Sequence, residues 1–200
     1  MKNLDKDFEK NGYVIIPGKK NLLEKLRKII FLSIKSNKNI KIENYKEENV
    51  SKIFNNFHKR VKLKDLNDLR FKIYNKINSD EKFSKYFYDI AKDYLDKLVG
   101  NELSMQKKIN LSIQMPSDKD SLLDLHSDIY AGESPFQVVV WIPLVDVYNT
   151  KSMFFTKPKH NKKMNNQLLN TDKFTAKEMY NKNKKNFKFL NIKFGDILIF

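Results

Sequence analysis

An α+β fold is predicted by two observations: apolar residues recur at helical spacing through the first hundred of the 200 residues, and short alternating or continuous apolar runs replace them afterwards. A third observation, 40% hydrophobic residues with 12% aromatics, provides the apolar surface for a sizeable core in a chain of single-domain length. The expected organisation is one domain over 1–200, with a strand and helices over 1–100 and a barrel or sandwich of mostly antiparallel strands over 101–200.

The elements follow in order. Residues 8–12 read as a helical turn ended by Gly12, and 13–16 as a β-branched strand that Pro17 stops. Leu22, Leu23, Leu26, Ile29, Ile30 and Ile34 share one helical face. The polar stretch 37–49 is a surface loop, and helical patterning resumes over 50–77. Asp80 is placed to cap a further helix whose stripe is Phe83, Phe87, Ile90, Tyr94 and Leu98, with Gly100 at its C′ position. Beyond Gly100 the period becomes two. Over 109–115, Leu111, Ile113 and Met115 alternate with Asn110, Ser112 and Gln114, so a strand with one polar face is expected, either lining a ligand cavity or facing solvent. The run 137–144 is almost continuously apolar and is expected to be a central strand covered on both faces. Further strands are expected over 152–156, 187–192 and 196–200.

Composition excludes several classes. Cysteine is absent, which removes disulfides, thiolate metal sites and a cysteine nucleophile. There is no apolar leader or membrane-length apolar run, so a soluble, cytoplasmic protein with no membrane span is expected. The net charge of +15 is almost entirely lysine, with arginine only at positions 27, 60 and 70. Arginine is the residue that recognises phosphates and bases bidentately, so no specific nucleic-acid partner is expected. The dense tract 182–188 reads as an exposed loop.

His126 and Asp128 are the candidate metal ligands. In extended backbone, residues i and i+2 point to one side, and an imidazole with a carboxylate makes up two-thirds of the facial triad of non-haem Fe(II). A satisfied surface pair would look the same in sequence. The setting adds weight: the polar-faced strand precedes the pair, a turn over 116–120 separates them, and a small-residue loop over 131–135 leads to the strand of Trp141.

The run from His126 through Asp128, Tyr130, Gly132, Glu133, Gln137, Trp141 and Pro143 to Asp146, followed by Thr150, Lys151, Ser152, Met153 and Phe154, resembles the 2-oxoglutarate/Fe(II)-dependent oxygenases found sporadically in bacterial carbohydrate-biosynthesis clusters. These are relatives of the phytanoyl-CoA dioxygenases. The opening Phe8, Asn11, Gly12, Tyr13, Val14, Ile15, Ile16 and Pro17 is similar to the N-terminal strand of the wider group. The resemblance implies a single oxygenase-like domain with a double-stranded β-helix (jelly-roll or cupin-like) in the C-terminal half behind an N-terminal helical layer. It implies Fe(II) held by His126 and Asp128, 2-oxoglutarate as co-substrate, and O₂ and a small molecule as partners. Trp141 falls where relatives place an aromatic near 2-oxoglutarate, although a core indole fits it as well. Asn110 and Gln114 would look into the barrel, and Tyr130 toward the substrate mouth.

The family's distal histidine and the arginine that pairs with the far carboxylate of 2-oxoglutarate are missing from these 200 residues. Residues 194–200 resemble the strand leading into that histidine, so the chain is expected to be a fragment rather than a short form with an incomplete site. His160 falls at a non-ligand turn of the family, and His58 belongs to the helical region. The 200-residue chain is accordingly expected to bind Fe(II) weakly and to lack turnover. The expected activity of the complete form is hydroxylation of a small metabolite, sugar-containing by the resemblance alone. The alternatives are a cupin isomerase or epimerase and a non-catalytic basic binding module.

Overall fold

The computed structural model describes residues 3–119, 122–169 and 175–200. The chain divides into two compact units, one of Pro17–Ser121 with Leu144–Asp146 and the other of Met1–Ile16, Leu122–Pro143 and Val147–Phe200.

The first unit is helical. Helix α2 (Lys20–Lys35) buries Leu23, Leu26, Ile30 and Ile34 of the face its spacing predicts, leaves Leu22 and Ile29 half-buried, and buries Phe31 beside them. It packs against α4 (Leu66–Asn78) and α5 (Glu81–Leu98), and also meets α3 (Glu47–Asn55). Helix α4 contributes Leu66, Leu69, Ile73 and Ile77, and α5 contributes Phe83, Ile90, Ala91, Tyr94 and Leu95. The Asp80 carboxylate accepts from the Lys82 N–H at 2.9 Å, which satisfies one of the free donors at the start of α5.

The expected strand over 109–115 is extended and alternating, but it carries no ladder. Ile109 is buried and Leu111, Ile113 and Met115 are half-buried, whereas Asn110, Ser112 and Gln114 are exposed. Side chains of α4 take the place of a neighbouring strand. Asn78 donates to the Ile109 carbonyl at 3.0 Å and accepts from its N–H at 2.7 Å, and Arg70 donates to the Ile113 carbonyl. Arg70 also pairs at 2.6 Å with the nearly buried Asp118. Backbone groups need partners, not specifically other strands, and here an amide and a guanidinium supply them.

The second unit is built around two small sheets. Strands β1 (Val14–Pro17), β5 (Asp196–Ile199) and β2 (Val140–Trp141) form one in the order β1-β5-β2. Strands β2 and β5 are antiparallel, with Val140 opposite Ile199 and Trp141 opposite Leu198. Strands β3 (Phe154–Thr156) and β4 (Phe187–Phe189) form an antiparallel pair. Helices α1 (Leu4–Asn11), α6 (Pro158–Leu169) and α7 (Ala176–Asn183) accompany them, with α1 against α6. Gly12 closes α1 at φ +79°, donating to the Phe8 carbonyl at 2.7 Å. A Cβ there would lie 3.4 Å from the Pro158 ring, so both the left-handed backbone and the neighbour favour glycine.

The central strand of this unit is β5, not 137–144. Ile197, Leu198 and Ile199 are fully buried, whereas 138–142 are half-buried and only Val140–Trp141 forms a strand. That strand lies at the sheet's edge, where Pro143 with its missing N–H is tolerated. The tract 182–188 is not a loop: it closes α7, makes a 3-10 turn (Lys184–Asn186) and enters β4. Residues 158–160, expected as a turn, begin α6. Among the described residues no closed barrel is formed, and no helix is long and apolar enough to cross a membrane.

Candidate metal centre

His126 and Asp128 flank Ser127, whose φ −131° and ψ 132° are those of a strand. Both side chains therefore emerge on one side, and His126 Nε2 lies 3.4 Å from Asp128 Oδ1. Asp128 opens a 3-10 turn (Asp128–Ala131) that Gly132 ends at φ +91°. The Glu133 N–H then bonds back to the Asp128 carbonyl at 3.1 Å, and the Phe136 and Gln137 N–H groups to Ser134, at Oγ and the carbonyl. This folded-back loop brings the Gln137 amide to 3.5 Å from Asp128 Oδ2, at the outer limit of a hydrogen bond.

The tautomer of His126 follows from its other nitrogen. Nδ1 lies 2.7 Å from the Asp124 carbonyl oxygen, which can only accept, so Nδ1 carries the proton. A neutral ring would then turn the bare Nε2 lone pair toward a carboxylate oxygen, two acceptors face to face. A cation between them, either a second ring proton or a metal ion, resolves that opposition. A backbone carbonyl on Nδ1 with Nε2 presented outward is also the way proteins orient metal-binding imidazoles. Neighbouring ligand atoms on one small divalent metal stand about 3 Å apart, given bonds of about 2.1 Å, so the pair's spacing fits. The segment 122–136 contains Asp124, Asp128 and Glu133 and no lysine or arginine, in a chain of net charge +15. Local charge therefore favours a bound cation.

Among the described residues no three His, Cys, Asp or Glu side chains converge on one point. Trp141 sits on β2 and packs against the cluster of Val147, Leu190, Ile192 and Leu198. Asn110 and Gln114 are exposed in the helical unit. The side chain of Tyr130 and the end of the expected 116–120 turn, Asp120, lie outside the described residues. His160 stands in the first turn of α6 and His58 is exposed in a short 3-10 turn. All three arginines are committed within the helical unit, to Glu47, Glu43 and Asp118.

Sequence reasoning missed two contributors, the Asp124 carbonyl and Gln137. A backbone acceptor leaves no trace in a sequence. Gln137 was visible as the polar residue opening an apolar run. Comparison with protein-family models, with curated proteins and with solved structures finds no match to this chain.

Proposed function

We propose that this chain carries the metal-binding part of a 2-oxoglutarate- and Fe(II)-dependent dioxygenase that hydroxylates a small metabolite, with a sugar-containing intermediate as the substrate class the resemblance favours. In this reading the C-terminal half belongs to a double-stranded β-helix. The observation that carries the proposal is the opposed His126 Nε2 and Asp128 Oδ1 at 3.4 Å, with Nδ1 tied to a backbone carbonyl. Bound there, Fe(II) would supply a Lewis-acidic centre with open positions for a 2-oxo acid and O₂.

The chain's own residues have defined parts. His126 offers a neutral nitrogen whose orientation Asp124 fixes. Asp128 brings the compensating negative charge through Oδ1, and Gln137 steadies its second oxygen. Trp141 anchors the strand that follows the loop.

The test is anaerobic titration of the 200-residue chain with Fe(II), followed by 2-oxoglutarate. Two protein ligands predict weak binding, with a faint visible charge-transfer band when the 2-oxo acid is added, both abolished in His126→Ala and in Asp128→Ala. Turnover is not expected from these two ligands alone. Fe(II) binding that both variants retain would refute the assignment, and binding without the 2-oxoglutarate band would point to a cupin of another reaction class.

A further inference from the structure

The positive charge of this chain is not evenly placed. Residues 147–195 contain twelve lysines and two carboxylates, a net of +10, which leaves +5 for the other 151 residues. An even spread would put about +4 in a stretch of that length. Lysine is only modestly enriched there, and it is the scarcity of carboxylates that makes the difference. One of the two, Glu178, is engaged by Thr175, accepting from its N–H at 2.9 Å and its hydroxyl at 2.8 Å. The other, Asp172, lies outside the described residues.

Aromatic rings accompany this charge. Tyr180 on α7 stacks on Phe187 at the start of β4, with centroids 5.3 Å apart and ring planes 14° apart. The β3–β4 register sets Phe154 opposite Phe189 and Thr156 opposite Phe187, so Phe154, Phe187 and Phe189 share one face. Phe154 contacts Tyr180, Phe187 and Phe189 at 5.0, 5.0 and 5.5 Å. Phe189, at the open side of this cluster, is 52% exposed. The exposed Lys184 and Lys185 lie in the turn that links the two stacked rings.

We propose that the exposed lysines described between 147 and 195 form, with Phe189, a surface for single-stranded nucleic acid, held through its phosphates by the lysines and through a base stacked on Phe189, without regard to sequence. Lysine is a point charge that suits phosphate without reading base edges, and every base has a face to stack. A lipid surface fits less well. Helices α6 and α7 turn Met164 and Met179 into the protein, and between 149 and 195 Phe189 is the single large apolar side chain exposed among the described residues.

The test is fluorescence anisotropy of a labelled oligouridylate of about 20 nucleotides with the full 200-residue chain, at KCl from about 50 to about 300 mM. Micromolar binding at low salt is expected, weakening with a log–log slope of about −3, as for four or so phosphates on a single strand. Replacing Lys184→Glu together with Lys185→Glu should weaken it about tenfold or more. Phe189→Ala should weaken it about fivefold or more, and Phe189→Tyr should restore it. A charge-matched pair in the helical unit, Lys62→Glu with Lys64→Glu, should leave binding within about twofold. The proposal is overturned if no binding occurs, if the control pair weakens it as much as the 184/185 pair, or if vesicles of phosphatidylcholine and phosphatidylserine bind and the oligouridylate cannot displace them. Should Phe189→Ala lose its circular dichroism, the lysine pairs and Phe189→Tyr decide.

Discussion

Arg27 is charged yet 2% exposed, and its surroundings show what makes that tolerable. Its guanidinium meets Glu47 Oε1 at 2.9 Å, the Ser51 hydroxyl at 3.3 Å, the Glu47 carbonyl at 3.3 Å and the Leu144 carbonyl at 3.2 Å. A buried charge is tolerated when a countercharge and hydrogen-bond acceptors meet it, as they do here at both terminal nitrogens of the guanidinium. Burial still pulls its pKa below the ordinary arginine value, with Glu47 opposing. The other oxygen of Glu47 accepts from the Tyr45 hydroxyl. Burial first, and then this bond and the Glu47 charge, push the phenol of Tyr45 well above the ordinary tyrosine range. The folded protein thus holds this proton more tightly than the unfolded chain, whose tyrosines titrate near about 10. Its stabilising contribution is complete below that pH and is lost as pH rises toward the folded value. Phenolate absorbance should therefore contain a component that appears above the ordinary tyrosine range and together with unfolding. In Tyr45→Phe that component should vanish, and urea midpoints should fall less steeply above about pH 10. An unchanged alkaline profile in the variant would show that the Tyr45–Glu47–Arg27 chain does not carry the effect.

At the scale of elements, α5 shows a local signal deciding a boundary. Asp80 caps it as its position before the apolar stripe predicts, so Asp80→Ala should cost about 1 kcal/mol in chemical denaturation, and Asp80→Asn only a fraction of that. Equal losses in both variants would mean that the carboxylate's charge near the helix start matters more than the bond. Helices α2 and α5 were legible because one buried stripe at a 3.6-residue period fixes both the element and its face. The segment 109–115 was legible in its alternation but not in its partners. Period two requires an extended backbone with one side inward, and it does not require that Asn78 and Arg70 stay away from the carbonyls. The run 137–144 misled because continuous apolarity marks burial on both faces without saying which apolar run takes the centre, and β5 took it. Of the candidate centre, the shared side of His126 and Asp128 followed from i, i+2 spacing. The proton on Nδ1 did not, because it depends on where a main-chain oxygen turns.

For the whole molecule, sequence separation differs sharply between the two units. The helical unit is continuous from Pro17 to Ser121 apart from Leu144–Asp146, and its contacts among α2, α4 and α5 join segments that are near neighbours along the chain. The other unit is assembled from three separate stretches, and its sheet sets β1, near the start, beside β5, at the end. Closing a loop costs about 0.6 kcal/mol more for each doubling of its length, and this must be met before distant contacts form. Joining β1 to β5 closes a loop roughly three times that joining α2 to α5, an added cost of about 1 kcal/mol. Contacts of low sequence separation also form fastest. Pulse-labelled hydrogen exchange during refolding should accordingly find the amides of Lys20–Lys35 and Glu81–Leu98 protected first, and those of Asp196–Ile199 last. Leu198 and Ile199 are fully buried and will be strongly protected once folded, so late protection there reports the order of assembly and not weak native bonds. Simultaneous protection of both sets would show that the helical unit does not form before the β1-β5-β2 sheet closes.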